Sequence, residues 1–242
     1  MSGYLMLELR RMLRTPGFLV FTIAMPLVVY LVFSNLGSLT GQDRHDTALY
    51  AMVTIGGYGA IGAMLNYGSG VVSDRTLGWL RQLRLTPLSP VKVVLAKAVT
   101  GMLLAVPPVA AMCLAGGLVN GVSLSVGQWI AVIALMWLGA SPFVVLGLGI
   151  GYVATAQTVQ PVSFLSYFGM SLLGGLLIPL NVLPHGVASV GRLLPTHGYA
   201  DLAVRVAFHE STSAGDIALL GTWLVLFAGF AVHAYRRAAA TR

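Results

Sequence analysis

Six long apolar stretches fill most of the sequence, at 17–39, 48–72, 91–119, 127–153, 161–183 and 215–235, and the charged residues sit almost entirely between them. Each stretch reaches the ~20 residues that a helix needs to cross a hydrocarbon core of ~30 Å. Backbone amides find no water in lipid, so the crossing form is helix. The pattern predicts an all-α polytopic membrane protein with six transmembrane helices, built as a single membrane domain over 1–242. The first run follows a basic start. It is longer than the about 7–15 residues of a signal-peptide core, and no A-x-A site follows it. It reads as an uncleaved first helix.

The runs are punctuated in ways that carry information. Residues 4–14 place Leu5, Leu9, Met12 and Leu13 near one face and Glu8, Arg11 and Arg14 on another, and Pro16 limits the continuation. This predicts an interfacial helix ahead of the first span. The second run holds Gly56, Gly57, Gly59 and Gly62, which let helices approach closely in lipid. Asn66 and Tyr67 follow, and their polar groups suit either an interhelical hydrogen bond or substrate contact. The third run contains Pro107 and Pro108. Two adjacent prolines remove two backbone donors and predict a kink or break, with neighbours satisfying the freed carbonyls. The fourth contains Gly147, Gly149 and Gly151, a common packing pattern. The fifth gathers Phe164, Tyr167 and Phe168 within about one turn, with Met170 and Ser171 just beyond. These aromatics either pack or face lipid, or form a substrate pathway together with Asn66 and Tyr67 at a dimer axis.

Two connections stand out. Between the second and third runs, Leu77, Leu80 and Leu83 recur every three residues, with Trp79, Arg81 and Arg84 beside them. Asp74 suits the N-terminus of such a helix, and Pro87 and Pro90 mark its end. The segment 74–90 is thus a short basic amphipathic helix. Its residues alone leave two roles open, an inert surface anchor or a lever that docks on a partner. Between the fifth and sixth runs, 184–214 is the longest connection. It carries Pro184 and Pro195 and a helical stretch over 201–208, and reads as an external re-entrant or surface segment.

Composition sharpens the picture. Hydrophobic residues make up 57% of the chain and charged ones 9%, against soluble averages of ~45–50% and ~25%. The net charge of +7 could suggest nucleic acid. Its placement at the ends of the apolar runs points instead to orientation and anionic lipid contact, and no nucleic-acid partner is expected. With the N-terminus in the cytoplasm, the inner face holds Arg10, Arg11, Arg14, Arg75, Arg81, Arg84, Lys92, Lys97, Arg236, Arg237 and Arg242, and the outer face holds Arg44, Arg192 and Arg205. All 14 basic residues are then placed, 11 inside and 3 outside. The positive-inside rule therefore puts both termini in the cytoplasm, as an even number of spans requires.

Much chemistry is absent. The single cysteine, Cys113, permits no intrachain disulfide. There is no G-x-x-x-x-G-K-[ST] phosphate loop, no G-x-S-x-G elbow and no H-E-x-x-H zinc motif. His185, His197 and His209 have no recognised ligand spacing, and no metal is assigned. No acidic residue or arginine lies deep within a predicted span, which disfavours a proton-coupled carrier. Uphill transport would have to draw energy from another chain. A pathway lined by aromatic, Met, Ser and Gly groups suits an amphiphile better than a small ion.

Two segments carry a family resemblance that extends over nearly the whole chain. RTLGWLRQLRLTPLSPVKVVLAK at 75–97 is similar to a coupling segment that turns through TPLSP into the third span. GGLLIPLNVLPHGVASVGRLLPTHGYADLAVR at 174–205 has Pro179, Pro184, Leu194 and Pro195 where a family signature has them. Both resemble the permease subunit of bacterial ABC-2 type exporters, especially the daunorubicin-resistance-like drug export group. One departure is that Asp74 alone stands where many relatives have an acidic residue and a longer basic helix. The resemblance implies two permease chains, as a homodimer, with two separate ATPase subunits that bind ATP and Mg. This chain would hold no cofactor and catalyse no bond chemistry. Residues 1–16 would be a connecting helix. Arg75, Leu77, Trp79, Leu80, Arg81 and Arg84 would couple to the ATPase, and spans one, two and five would approach the pathway. The implied activity is multidrug or lipid-like export at the bacterial plasma membrane, with antibiotic resistance as one consequence. A different class of reading is a non-transporting membrane scaffold or immunity protein.

Overall fold

A computed structural model describes the backbone of residues 16–40, 43–76 and 90–240, and side chains within 23–35, 43–76 and 91–238. The interfacial helix expected at 4–14 and most of the 74–90 segment lie outside these residues. The described chain is helical throughout, with α1 Pro16–Thr40, α2 Arg44–Asn66, α3 Gly68–Thr76, α4 Pro90–Leu104, α5 Val106–Leu118, α6 Val126–Leu138, α7 Ser141–Val153, α8 Val159–Leu173, α9 His185–Gly191, α10 Pro195–Ala207 and α11 Ala214–Ala240. Among the described residues, four stretches are long and apolar enough to cross a membrane: Arg44–Thr76, Val91–Leu118, Val126–Val153 and Ala214–Ala238. Two shorter apolar helical stretches, Ile23–Asn35 and Val159–Leu173, accompany them.

The bundle is organised around α2. In Arg44–Thr76, 89% of the most apolar window is buried, against 22% in Ala214–Ala238, so the former is the centre and the latter the rim. Glycines let the neighbours reach it. A Cβ at Gly56 would meet Met112 of α5 and Met136 of α6, one at Gly57 would meet Tyr199 of α10, one at Gly59 would lie 3.1 Å from Pro26 of α1, and one at Gly62 would lie 2.9 Å from the Tyr167 ring of α8. Small residues thus serve packing between helices here, as lipid surroundings demand. The Gly147-x-x-x-Gly151 pair is used the same way within the chain. Gly147 lies against the backbone of Leu65 and Gly68, and Gly151 against the carbonyl of Gly68.

Three of the long stretches are broken near their middles. Pro107 and Pro108 open α5 after a break at Ala105. The Met102 carbonyl there accepts the Ala105 amide at 3.1 Å and the Trp137 indole N–H at 2.7 Å. The fourth apolar run, read as one helix, is also two, because Pro142 opens α7 after Gly139 and Ala140. The break between α2 and α3 at Tyr67 has no proline. There the Asn66 amide donates to the Gly62 carbonyl at 2.9 Å, and the Ser69 hydroxyl to the Asn66 carbonyl at 2.8 Å.

The fifth run differs from its expected extent of 161–183. α8 ends at Leu173, and Gly175 takes φ +87°, a left-handed conformation that glycine adopts without a Cβ clash. The chain then folds back through a 3₁₀ turn, Leu180–Val182, and α9. α10 returns into the bundle against α2, α6 and α11, with Thr196 and Tyr199 fully buried. The Thr196 hydroxyl donates to the Met170 carbonyl at 2.5 Å. This ties the fold-back to the open end of α8.

Candidate functional site

Two features of the fold can do something beyond packing. The first is a groove of about 430 Å³ between α1, α2 and α8. It is lined by Met25 and Pro26 of α1, by Tyr58, Gly59, Gly62, Ala63 and Asn66 of α2, and by Gln160, Phe164 and Tyr167 of α8. Residues 58, 62 and 66 fall on one stripe of α2, as do 160, 164 and 167 on α8. Tyr58 and Tyr167 stack across the groove with ring centroids 4.2 Å apart. Among the described residues, none that lines the groove is charged. The polar contribution comes from two phenols and two carboxamides, Asn66 and Gln160. One amide hydrogen of Asn66 is committed to Gly62.

The second feature lies at the opposite side of α2's break, at the base of the 77–89 connection. Lys97 is 1% exposed and Asp74 6%, and the Lys97 ammonium donates to the Asp74 carboxylate at 2.7 Å. Burying either charge alone would be very costly, and pairing is what makes the arrangement tolerable. The neighbouring Arg75 donates from Nη1 to the carbonyls of Gly151 at 3.1 Å and Ala154 at 2.8 Å. A helix leaves its last carbonyls unpaired and carries partial negative charge there. Arg75 therefore caps the end of α7. Asp74, expected near the N-terminus of a helix in the 74–90 segment, lies in the last turn of α3 and pairs with Lys97 of α4.

Residues 42–233 match the model of the ABC-2 family transporter protein. The chain belongs to the ABC-2 transporter family. It is also 26% identical over 221 residues, covering 91% of this chain and 90% of the other, to a Bacillus subtilis (strain 168) protein named "Putative transport permease YvfS". This ABC-2 permease is thus a multi-pass transmembrane component of a transporter, and the family implies an ABC ATPase as partner.

The residues singled out in the sequence fare differently in this permease. Asn66, Phe164 and Tyr167 come together on the groove. Phe168 stays off its wall, half-exposed and stacked on Phe164 with centroids 5.5 Å apart. Tyr67 does not line the groove either. It is 3% exposed and lies against Gly101 of α4, where an added Cβ would come 2.7 Å from its ring. The physical reason is helical geometry, since one residue turns the side chain ~100° from Asn66. Arg75 is engaged within the chain. Leu77, Trp79, Leu80, Arg81 and Arg84 lie outside the described residues. Sequence reading missed Tyr58 and Gln160, although stepping back by helical turns from Asn66 and Phe164 reaches both. It also missed the Asp74–Lys97 pair, for which the only signal was an acid and a base flanking one connection.

Proposed function

We propose that this permease is the membrane half of an ATP-driven exporter, and that it moves an uncharged hydrophobic or amphiphilic compound such as a drug, a natural product or a lipid-like molecule. The observation that carries the reading is the groove. It is apolar and aromatic, has hydrogen-bonding carboxamides and no charge among its described lining residues, and its volume falls in the range of small-molecule sites. In this reading six spans cross the plasma membrane with both termini in the cytoplasm. Two separate ATPase subunits bind ATP and Mg. A second copy of the chain closes the open side of the groove, beside which Phe164 and Leu165 expose apolar surface. The 77–89 connection docks on the ATPase, with Leu77, Trp79, Leu80, Arg81 and Arg84 as contacts. ATP binding drives transport only through a difference in its affinity for two arrangements of the pair.

The test is reconstitution of the permease with its ATPase in proteoliposomes. An uncharged fused-ring dye should stimulate ATP hydrolysis and be moved, and its quaternary-ammonium derivative should do neither. Tyr167→Leu should alter preference among uncharged dyes while ATP hydrolysis without substrate persists. A complex that binds no ATPase, or hydrolyses ATP with no response to any compound, would favour the scaffold reading.

A further inference from the structure

We infer that the Asp74–Lys97 ion pair and the Arg75 cap together are a positioning clamp that converts movement of the 77–89 connection into movement of the groove wall. The inference rests on the proposed function and adds to it the residues that carry the motion.

α3 ends at Thr76, just before the 77–89 connection, and α4 begins at Pro90, just after it. The two sides of its base are joined by Asp74 and Lys97, at 2.7 Å and almost fully buried. A force on the connection therefore cannot spread α3 from α4 without separating two buried charges. The adjacent Arg75 fastens the same base to the end of α7. α7 in turn packs along α11, α2, α3 and α4. Three helices are thus held as one body at this end.

That body bears on the groove through α2 and α8, on both of which α3 and α7 pack, and the break at Tyr67 is one of these contacts. α3 runs back to Tyr67, and on the far side of Tyr67 lies Asn66, which lines the groove with Gly62 and Tyr58. Tyr67 is buried against Gly101 of α4, so the break bears on the same helix that carries Lys97. The chain contacts that stiffen the clamp are polar and directional, whereas those around the groove are apolar. A buried ion pair is seldom a net gain in stability over apolar packing and is better attested as a device for fixing register. Ionisable residues inside membrane helices are functional candidates for the same reason.

The whole permease–ATPase complex in proteoliposomes provides the test. Three quantities are read: the amount of ATPase held, the ratio of dye-stimulated to basal ATP hydrolysis, and dye moved per ATP. Lys97→Met should leave the ATPase bound and lower the stimulation ratio and the dye moved per ATP about tenfold. The single variant leaves a buried carboxylate and could fail to fold. The neutral pair Asp74→Asn with Lys97→Met avoids this and should show the same loss of coupling in an inserted, ATPase-bound complex. Lys97→Arg, which keeps the charge, should restore most of it. Wild-type coupling in the neutral double variant would overturn the clamp. So would loss of coupling in strict proportion to loss of bound ATPase, because the pair would then act in docking. Absence of ATP-coupled transport in the wild-type complex would instead refute the proposed function, and the clamp with it.

Discussion

Gly68 and Gly147 meet backbone to backbone, so that a Cβ on Gly68 would fall on the Gly147 carbonyl and one on Gly147 on the Leu65 carbonyl. The first contact cannot be relieved by turning a side chain. Gly68→Ala should force α3 from α7, and Gly147→Ala α2 from α7, and each should cost ~1–3 kcal/mol or more, as overpacking does. Gly70, two residues away, has nothing within 4 Å of its Cβ position, so Gly70→Ala should be neutral or stabilise α3 by up to ~1 kcal/mol. Thermal unfolding of the purified permease in detergent checks the contrast. Equal behaviour of the Gly68 and Gly70 variants would contradict the crossing.

Trp137 holds the break in the third run from outside. Its indole N–H donates at 2.7 Å to the Met102 carbonyl, close to the carbonyls that Pro107 and Pro108 leave without helical donors. Trp137→Phe keeps the ring's bulk and removes the donor. The expected loss is ~1 kcal/mol, or a fall in the unfolding midpoint of roughly 2–4 °C for a chain of this size. An unchanged midpoint would mean that the Ala105 amide alone satisfies Met102.

Gly62 sets the width of the groove, since its absent side chain leaves room for the Tyr167 ring. Gly62→Val should push that ring into the cavity. Transport of the bulkiest dyes should fall about tenfold before that of the smallest changes, measured with a size-graded uncharged series. A uniform fall across sizes would show general damage to packing.

Asp201 and Arg205 form an ion pair one turn apart on α10. Burial pushes the Asp201 carboxyl up, but the hydrogen bond and positive charge of the Arg205 guanidinium outweigh it and hold the group below the ordinary carboxylate range. The carboxylate is thus favoured in the folded state. Its contribution is complete above the unfolded pKa of ~3.9 and is lost as pH falls through the lower folded value. Arg205→Gln should lower the unfolding midpoint at pH 7, and the gap to wild type should close in acid below about pH 4. Both side chains are about a third exposed, so salt should narrow the gap as well. A gap that persists in acid would assign the effect of Arg205 to packing.

The apolar runs made the helical, multi-pass character legible, because in lipid hydrophobic length is the element itself. Pro107–Pro108 announced its break in the same direct way. Pro142 carried a similar signal, but an uninterrupted apolar run masked it. Asn66, Phe164 and Tyr167 could be gathered by composition and helical spacing. Tyr67 and Phe168 could not be sorted from them, because the side of a helix that faces a neighbour depends on which helix the neighbour is. The same limit hid Asp74 and Lys97. A count of charges by face treats each as an independent marker, whereas their meaning lies in a contact between α3 and α4 that sequence order does not contain.

At ~1.5 Å per residue, the 15 residues of α8 rise about 22 Å, about three-quarters of a ~30 Å slab of hydrocarbon. Beyond Leu173 the chain continues as a stack of short pieces, the 3₁₀ turn, α9 and the start of α10, pinned to α8 by Thr196. Parting a continuous rod would mean unzipping its own ladder of amide bonds. Parting this stack breaks surface contacts and a few hydrogen bonds, among them Thr196 to the Met170 carbonyl and the Trp223 indole to the Leu193 carbonyl, while the helical ladders stay intact. On the proposed pathway, the last quarter along α8 would therefore be closed by a latch and not by a wall.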